Sequence, residues 1–316
     1  MIGPIGRGVA ACAVSISLAC GVAPNKAAAQ TYPTRPIEMI VTWGPGGGAD
    51  QTGRMIGKLL EPELKVSIPV ENVAGASGVT GLTKLLGGQA EGYQIAIVTA
   101  DTLALLADPK PQRWSLNDLS PIAVLIVQNS GFFVKGDGPL KTWADVEAKA
   151  KTTELKVAVT GLGTPDDMAV EQLKKRGLKL LSVPFAKPAE RYVAVIGGHA
   201  DLLYEQAGDV RSFIENKQLA PVLFLANAPV AQFPKVPTTK SIGMNLVLDQ
   251  FRTIMAKAGT PPGPYKLLTE KVAQTTRSPE YVKFLQDQWA DPKSVLVGDA
   301  AVRYIREQIE ALKKLK

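Results

Sequence analysis

Residues Trp43-Gly44-Pro45-Gly46-Gly47-Gly48-Ala49-Asp50 join an apolar run (Ile37, Met39, Ile40, Val41) to a helical pattern (Met55, Ile56, Leu59, Leu60). A strand that enters a helix through so short a glycine turn is a βα unit. A chain assembled from such units folds as α/β, with helices packed on the faces of a sheet. The turn also leaves backbone N–H groups free at a helix start, where the helix dipole favours negative charge. The junction thus predicts both a fold class and a seat for an anion.

The same alternation runs along the chain. Apolar runs predict strands at Ile37–Trp43, Val66–Val70, Gln94–Thr99, Leu155–Val159, Lys179–Val183, Leu202–Tyr204 and Val222–Ala226. Helical patterns separate them at Asp50–Leu60, Thr80–Leu86, Asp145–Lys151, Asp166–Arg176, Ala189–Ile196 and Val210–Asn216. Ligands of such sheets sit outside the carboxyl ends of the strands. Two longer runs differ. Pro121–Val134 is interrupted by Gln128-Asn129-Ser130-Gly131, and Leu246–Met255 is another long run. Both predict strands crossing between two lobes, an arrangement suited to hinged closure. Residues 30–128 and 252–316 would form lobe 1, with helices at Pro264–Thr276, Pro279–Gln288 and Ala300–Leu315; residues 129–251 would form lobe 2.

The first 29 residues have the pattern of a cleavable export signal: Arg7, the apolar stretch Val9–Ala23, then Ala27-Ala28-Ala29. That stretch is shorter than the roughly 20 residues a spanning helix needs. Both cysteines, Cys12 and Cys20, lie inside it, so the exported chain would have no disulfide, thiol nucleophile or cysteine–metal site. Ser17 stands three positions before Cys20, where a lipidation signal needs an apolar residue. Removing Arg7 and Lys26 from the 36 basic residues leaves 34 against 29 acidic ones. That balance is mild and dispersed, which argues against a nucleic-acid partner. The expected location is the periplasm.

An ordered set of short segments carries a family resemblance. It begins with Tyr32-Pro33-Thr34-Arg35-Pro36-Ile37 and runs through Pro45-Gly46-Gly47, Asp50, Arg54 and Val70-Glu71-Asn72-Val73-Ala74-Gly75-Ala76-Ser77-Gly78. It continues in Gly161-Leu162-Gly163-Thr164, Val183-Pro184-Phe185, Gly197-Gly198-His199-Ala200-Asp201 and Ala258-Gly259-Thr260-Pro261. On these residues the chain resembles the Bug/TctC-type substrate-binding proteins of tripartite tricarboxylate transporters. The resemblance implies a type 2 periplasmic-binding-protein fold, with two α/β lobes joined by two crossover strands. It implies capture of a small organic acid and delivery to membrane permease subunits; a monomer without a cofactor is expected. It also implies that the loop Pro45–Asp50 holds a ligand carboxylate and that the loop Gly161–Thr164 closes over it.

The residues themselves give compatible readings. Gly46, Gly47, Gly48 and Ala49 would donate N–H groups to one carboxylate, while Pro45 has no N–H to give. Asp50 could cap the helix or meet a ligand amine. Thr160, Gly161, Gly163 and Thr164 form a second strand-to-helix turn able to grip the distal part of a ligand. Asp166 and Asp167 would answer the helix dipole; if one of them faced the cleft, it would repel a dianion and suit an amine or a cation. Ser77, Thr99 and Asp101 follow lobe 1 strands, and Phe185 and Tyr204 follow lobe 2 strands. Trp43 would form a cleft wall.

Two enzyme readings compete. Gly44–Ala49 also satisfies the G-x-G-x-x-A dinucleotide fingerprint, with Glu71 placed for a ribose. Export from the cytoplasm and the missing Pro45 N–H weigh against it. A secreted hydrolase acting on a small acid would need His199, the only histidine, as its base, and no G-x-S-x-G motif accompanies it.

Overall fold

The computed structural model describes residues 32–315, together with residues 1–3 and 6. The expected export signal, its cleavage point and both cysteines lie outside the described residues. Residues 32–315 belong to one unit, Tyr32–Lys316.

Three βα units open the fold. Strand β1 (Glu38–Val41) leads through the glycine turn into α1 (Gly48–Leu64). Next come β2 (Val70–Asn72) with α2 (Val79–Gly87), and β3 (Gln94–Thr99) with the short α3 (Ala100–Ala104). Helix α1 buries Ile56, Leu60 and Leu64, a stripe at four-residue spacing. It lies close to the sheet because Gly53 has no side chain: a Cβ there would stand 2.8 Å from Val41. Strand β2 begins later than the run at Val66 suggests. Pro69 has no N–H for a ladder, so residues 67 and 69 serve β1 only as acceptors, to Ile37 N–H (3.1 Å) and Met39 N–H (2.9 Å).

The 17-residue strand β4 (Leu119–Lys135) follows, then α4 (Trp143–Thr152), β5 (Leu155–Val159), α5 (Pro165–Lys174), β6 (Leu180–Pro184) and α6 (Pro188–Ile196). The chain continues through β7 (Leu202–Gln206), α7 (Arg211–Glu215), β8 (Leu219–Phe224) and β9 (Asp249–Lys257). It ends with α8 (Pro262–Thr275), α9 (Pro279–Asp287), the two-residue β10 (Leu296–Val297) and α10 (Asp299–Lys313).

The strand order is β2-β1-β3-β9-β4-β7-β5-β6, with β10 and β8 also paired to β4. The order is the same on both sides of β4. On one side β2, β1 and β3 are parallel and β9 returns antiparallel to β3. On the other, β6, β5 and β7 are parallel, and the second half of β4 runs antiparallel to β7. The polar segment Gln128–Ser130 marks the change inside β4. Ile122, Ala123, Leu125 and Ile126 pack in the core under α1, whereas Phe132 and Val134 pack in a different core with Val157 and Leu202. The returning chain crosses close by: Leu246 and Leu248 belong to the second core, while Phe251 packs with Val98 and Met255. Strand β9 itself starts at Asp249, three residues after the expected Leu246, and pairs there with Asn129 of β4. The fold is α/β, two lobes joined by crossing strands.

Candidate functional site

The carboxyl ends of β1, β3, β5 and β7 and the amino end of β9 converge on one cavity of about 30 Å³, room for about two waters. Its first-lobe wall is Trp43, Gly47, Gly48, Ala49, Thr99 and Asp101, with Gln250 and Arg252 from β9. Thr160, Pro188, Arg191, Tyr192 and Tyr204 face them, with Glu205, Gln206 and Asp209 beyond.

The glycine turn builds its part of the wall through backbone geometry. Gly46 takes φ of 85°, a left-handed conformation that a side chain would oppose. Gly47 is the N-cap of α1 and no side chain caps the helix. Asp50 turns away from the cavity: it accepts from Gly46 N–H (3.0 Å) and Asn72 Nδ2 (3.0 Å) and pairs with Arg54 (3.0 Å). Burial pushes its carboxyl up, but the Gly46 N–H and Arg54 outweigh burial and hold it below the usual range. Gly48 must be glycine, because a Cβ there would collide with the guanidinium of Arg252 and the carboxylate of Asp209.

Two buried ion pairs occupy the floor. Arg252 pairs with Asp209 and donates to Gln128 Oε1 (2.5 Å); Arg191 pairs with Glu205. With its amide nitrogen toward the two carboxylates, Gln206 donates to Asp209 Oδ2 (3.2 Å) and Glu205 Oε1 (2.9 Å). Burial pushes the Asp209 carboxyl up to about 6 despite Arg252. Arg191 is 3% exposed, and its Nε and Nη1 have no partner among the described residues. On the first lobe, Trp43 Nε1 donates to Thr99 Oγ1 (2.9 Å), which donates to Asp101 Oδ2 (3.1 Å). Gln250 Nε2 donates to the same oxygen (2.6 Å), leaving Asp101 Oδ1 and Gln250 Oε1 without partners among the described residues. Burial, reinforced by the nearby charge of Asp166, raises the Asp101 carboxyl to about 7.

The cavity gathers Trp43, Gly47, Gly48, Ala49, Thr99, Asp101, Thr160 and Tyr204 of the residues expected from sequence. The others stand around it. Pro45 and Gly46 are exposed on the outer side of the turn. Ser77 meets Gly161 where the two lobes touch, for a Cβ on Gly161 would strike the Ser77 hydroxyl. Thr164 is the N-cap residue of α5, and its hydroxyl donates to Gly161 O (2.5 Å). Gly163 has φ of 77°, and its N–H donates to Asp167 Oδ2 (2.8 Å), which ties Asp167 to the turn. Asp166 is buried and fully engaged by Thr160, Thr164 and the Asp167 N–H. Phe185 packs against the core under α6. Glu71, considered above for a ribose, is exposed and paired with Lys84 (2.6 Å), and His199 is exposed.

Arg191, Asp209, Gln250 and Arg252 were not among the expected site residues. The signal was present for the two arginines. Arg252 interrupts an apolar strand, and Arg191 sits four residues before Val195, on the buried face of α6. A charge placed where the pattern demands an apolar residue marks a buried polar site.

Two lobes of identical strand order facing each other across a cleft define a type 2 periplasmic-binding-protein fold. The chain belongs to the tripartite tricarboxylate transporter receptor family, TctC, whose family model matches residues 53–315. Among curated relatives, protein BugT of Bordetella pertussis is 27% identical over 299 residues, 89% of this chain and 88% of its own. The fold is similar to that of MatC from Rhodopseudomonas palustris with bound malate, at a TM-score of 0.80 and 19% identity over 90% of this chain and 99% of that one. It is also similar to another R. palustris protein solved with adipate, at a TM-score of 0.82 and 21% identity over 90% and 97%.

Proposed function

We propose that this chain is a periplasmic receptor that captures a small mono- or dicarboxylate in the cleft and presents it to membrane permease subunits. Arg191, buried in the cleft wall with two free donors, is the observation that carries the reading. A buried guanidinium without a full set of partners is costly, and a carboxylate supplies the missing acceptors. The N–H groups of Gly47, Gly48 and Ala49 add to the same subsite from the start of α1. Thr160 and Tyr204 contact the distal part, and Gly161, Gly163 and Thr164 close against Ser77. Pro45, Gly46, Asp50 and Asp167 hold the two turns in shape, and Phe185 supports the second lobe's wall. In this reading residues 30–128 with 252–316 move against 129–251, as a monomer, and no covalent chemistry takes place. The acids malate and adipate in the fold's relatives support a ligand of that size.

The test is a thermal-shift screen of small organic and amino acids, with the compound recovered afterwards. A ligand at 100 times its dissociation constant stabilises by about 2.7 kcal/mol. The expected result is a shift with the compound intact. Consumption of the compound would replace this reading with that of a secreted hydrolase.

A further inference from the structure

The cavity's charges do not balance. Asp101, Glu205 and Asp209 face Arg191 and Arg252, and each arginine already has its own carboxylate. Asp101 forms no ion pair among the described residues and feels only the more distant charge of Arg191. One of its oxygens accepts from Thr99 and Gln250; the other, although Asp101 is only 3% exposed, accepts from nothing among the described residues. Gln250 Oε1, on the neighbouring residue, is likewise unpartnered. Asp166, buried near enough to influence Asp101, adds negative charge, and its own oxygens are taken by the Thr160–Asp167 turn. A purely anionic ligand would meet two arginines already paired with carboxylates, and would leave the Asp101 and Gln250 oxygens without a donor.

Two orphaned sets therefore remain in the wall. Arg191 offers N–H donors, and Asp101 with Gln250 offers acceptors. Donors of a buried cation call for a carboxylate; acceptors of a buried carboxylate and an amide call for an ammonium. We propose that the ligand is an amino acid or similar aminocarboxylate, its ammonium bound by Asp101 Oδ1 and Gln250 Oε1 and its carboxylate by Arg191. This rests on the receptor reading above and specifies which acids the cleft selects. The ammonium supplies the positive charge that Asp101 lacks, so the ligand enters with no net addition of like charge. With its carboxyl raised to about 7, Asp101 is only part ionised near neutrality in the empty cleft, and the incoming ammonium drives the remaining proton off. Trp43 and Thr99 hold the carboxylate in place from behind through an unbroken hydrogen-bond chain.

The experiment is calorimetric titration of the full chain, stripped of bound ligand, with matched acids that differ only in the α-amino group. The pairs are propionate and L-alanine, succinate and L-aspartate, 4-methylpentanoate and L-leucine. In at least one pair the amino member binds about tenfold or more tighter than its partner, a difference of about 1.4 kcal/mol. In Asp101→Asn, checked for a native circular-dichroism spectrum, that preference falls to within about threefold. The wild-type comparison decides even where the variant fails to fold. Equal or tighter binding of the amine-free members overturns the proposal and leaves the receptor reading standing. Binding of propylamine as tight as that of L-alanine overturns the carboxylate half. Binding by no member of any pair overturns the proposal, and the thermal-shift screen above then decides the receptor reading.

Discussion

Asp101 sits where its own charge is unwelcome, and that has a measurable consequence. Its carboxyl is raised to about 7 by burial and by Asp166, against about 3.9 in an unfolded chain. Between those two values the folded protein holds a proton that the unfolded chain has lost, so stability falls as pH rises from about 4 to about 7 and then levels. Arg191 opposes the shift, Asp166 and burial reinforce it, and Asp209, raised to about 6, acts in the same direction. At about 1.4 kcal/mol per pH unit, Asp101→Asn should remove a few kcal/mol of the decline between pH 5 and pH 8 in urea unfolding. An equally steep decline in the variant would contradict the assignment. The buried pair on the floor gives a second test. Arg252→Met leaves Asp209 buried and uncompensated and should cost about 3–5 kcal/mol, whereas Arg252→Met with Asp209→Leu should recover most of that loss. At this scale the sequence pointed to the backbone part of the cavity wall and to only some of its side chains. Gly47–Ala49 and Thr99–Asp101 were legible because turns after strands have a recognisable composition. Arg191 and Arg252 were passed over because they lie inside a helix and a strand whose neighbours are apolar, although a charge in such a run is itself the signal of a buried polar site.

Elements were easier to read than residues, for a physical reason: each strand and helix declares its own period. β3 and β5 fall where the apolar runs predict them, and α1 and α5 follow their glycine turns. The departures have local causes. Pro69 delays β2, and the crossing strand β9 begins only where Asp249 meets Asn129. Helix α3 is five residues long and β10 two, too short for either period to show. Helix α1 is the element on which the site depends most, since its first turn is the cavity wall and Gly53 sets its distance from the sheet. A Cβ at Gly53 would come within 2.8 Å of Val41 and 3.3 Å of Ile97. Gly53→Val should therefore push α1 outward, cost roughly 1–3 kcal/mol of stability as an overpacked contact, and weaken ligand binding as well. Urea unfolding and titration of the same variant check the two effects. A stable variant of undiminished affinity would show that the helix position is not what forms the seat.

In residues 32–315 the cleft is nearly shut. A Cβ on Gly47 would lie 2.5 Å from the Pro188 ring, Gly161 abuts Ser77, and the space between is about two waters in size. In the receptor reading, entry of a larger ligand needs the lobes to part about the two crossings, near Asn129 of β4 and Asp249 of β9, which pair with each other. Residues 32–316 contain no cysteine, so Ser77→Cys with Gly161→Cys introduces one bridge across the mouth. Oxidised, that variant should bind ligand at least about tenfold more slowly, and reduction should restore the rate; unchanged kinetics would exclude hinged entry. The two-lobe plan was legible because β4 carries a polar break, Gln128–Ser130, inside an apolar run. The degree of closure was not, because it depends on contacts between loops far apart in sequence. The central claim is that a small acid occupies this cleft with its carboxylate on Arg191. Titration of the tightest acid into the paired variant Arg191→Met with Glu205→Gln, which removes the guanidinium without stranding its partner, tests it most directly. Affinity should fall by about a hundredfold, some 2.7 kcal/mol, in a protein that melts as the wild type does. Affinity unchanged in that folded variant would place the ligand elsewhere.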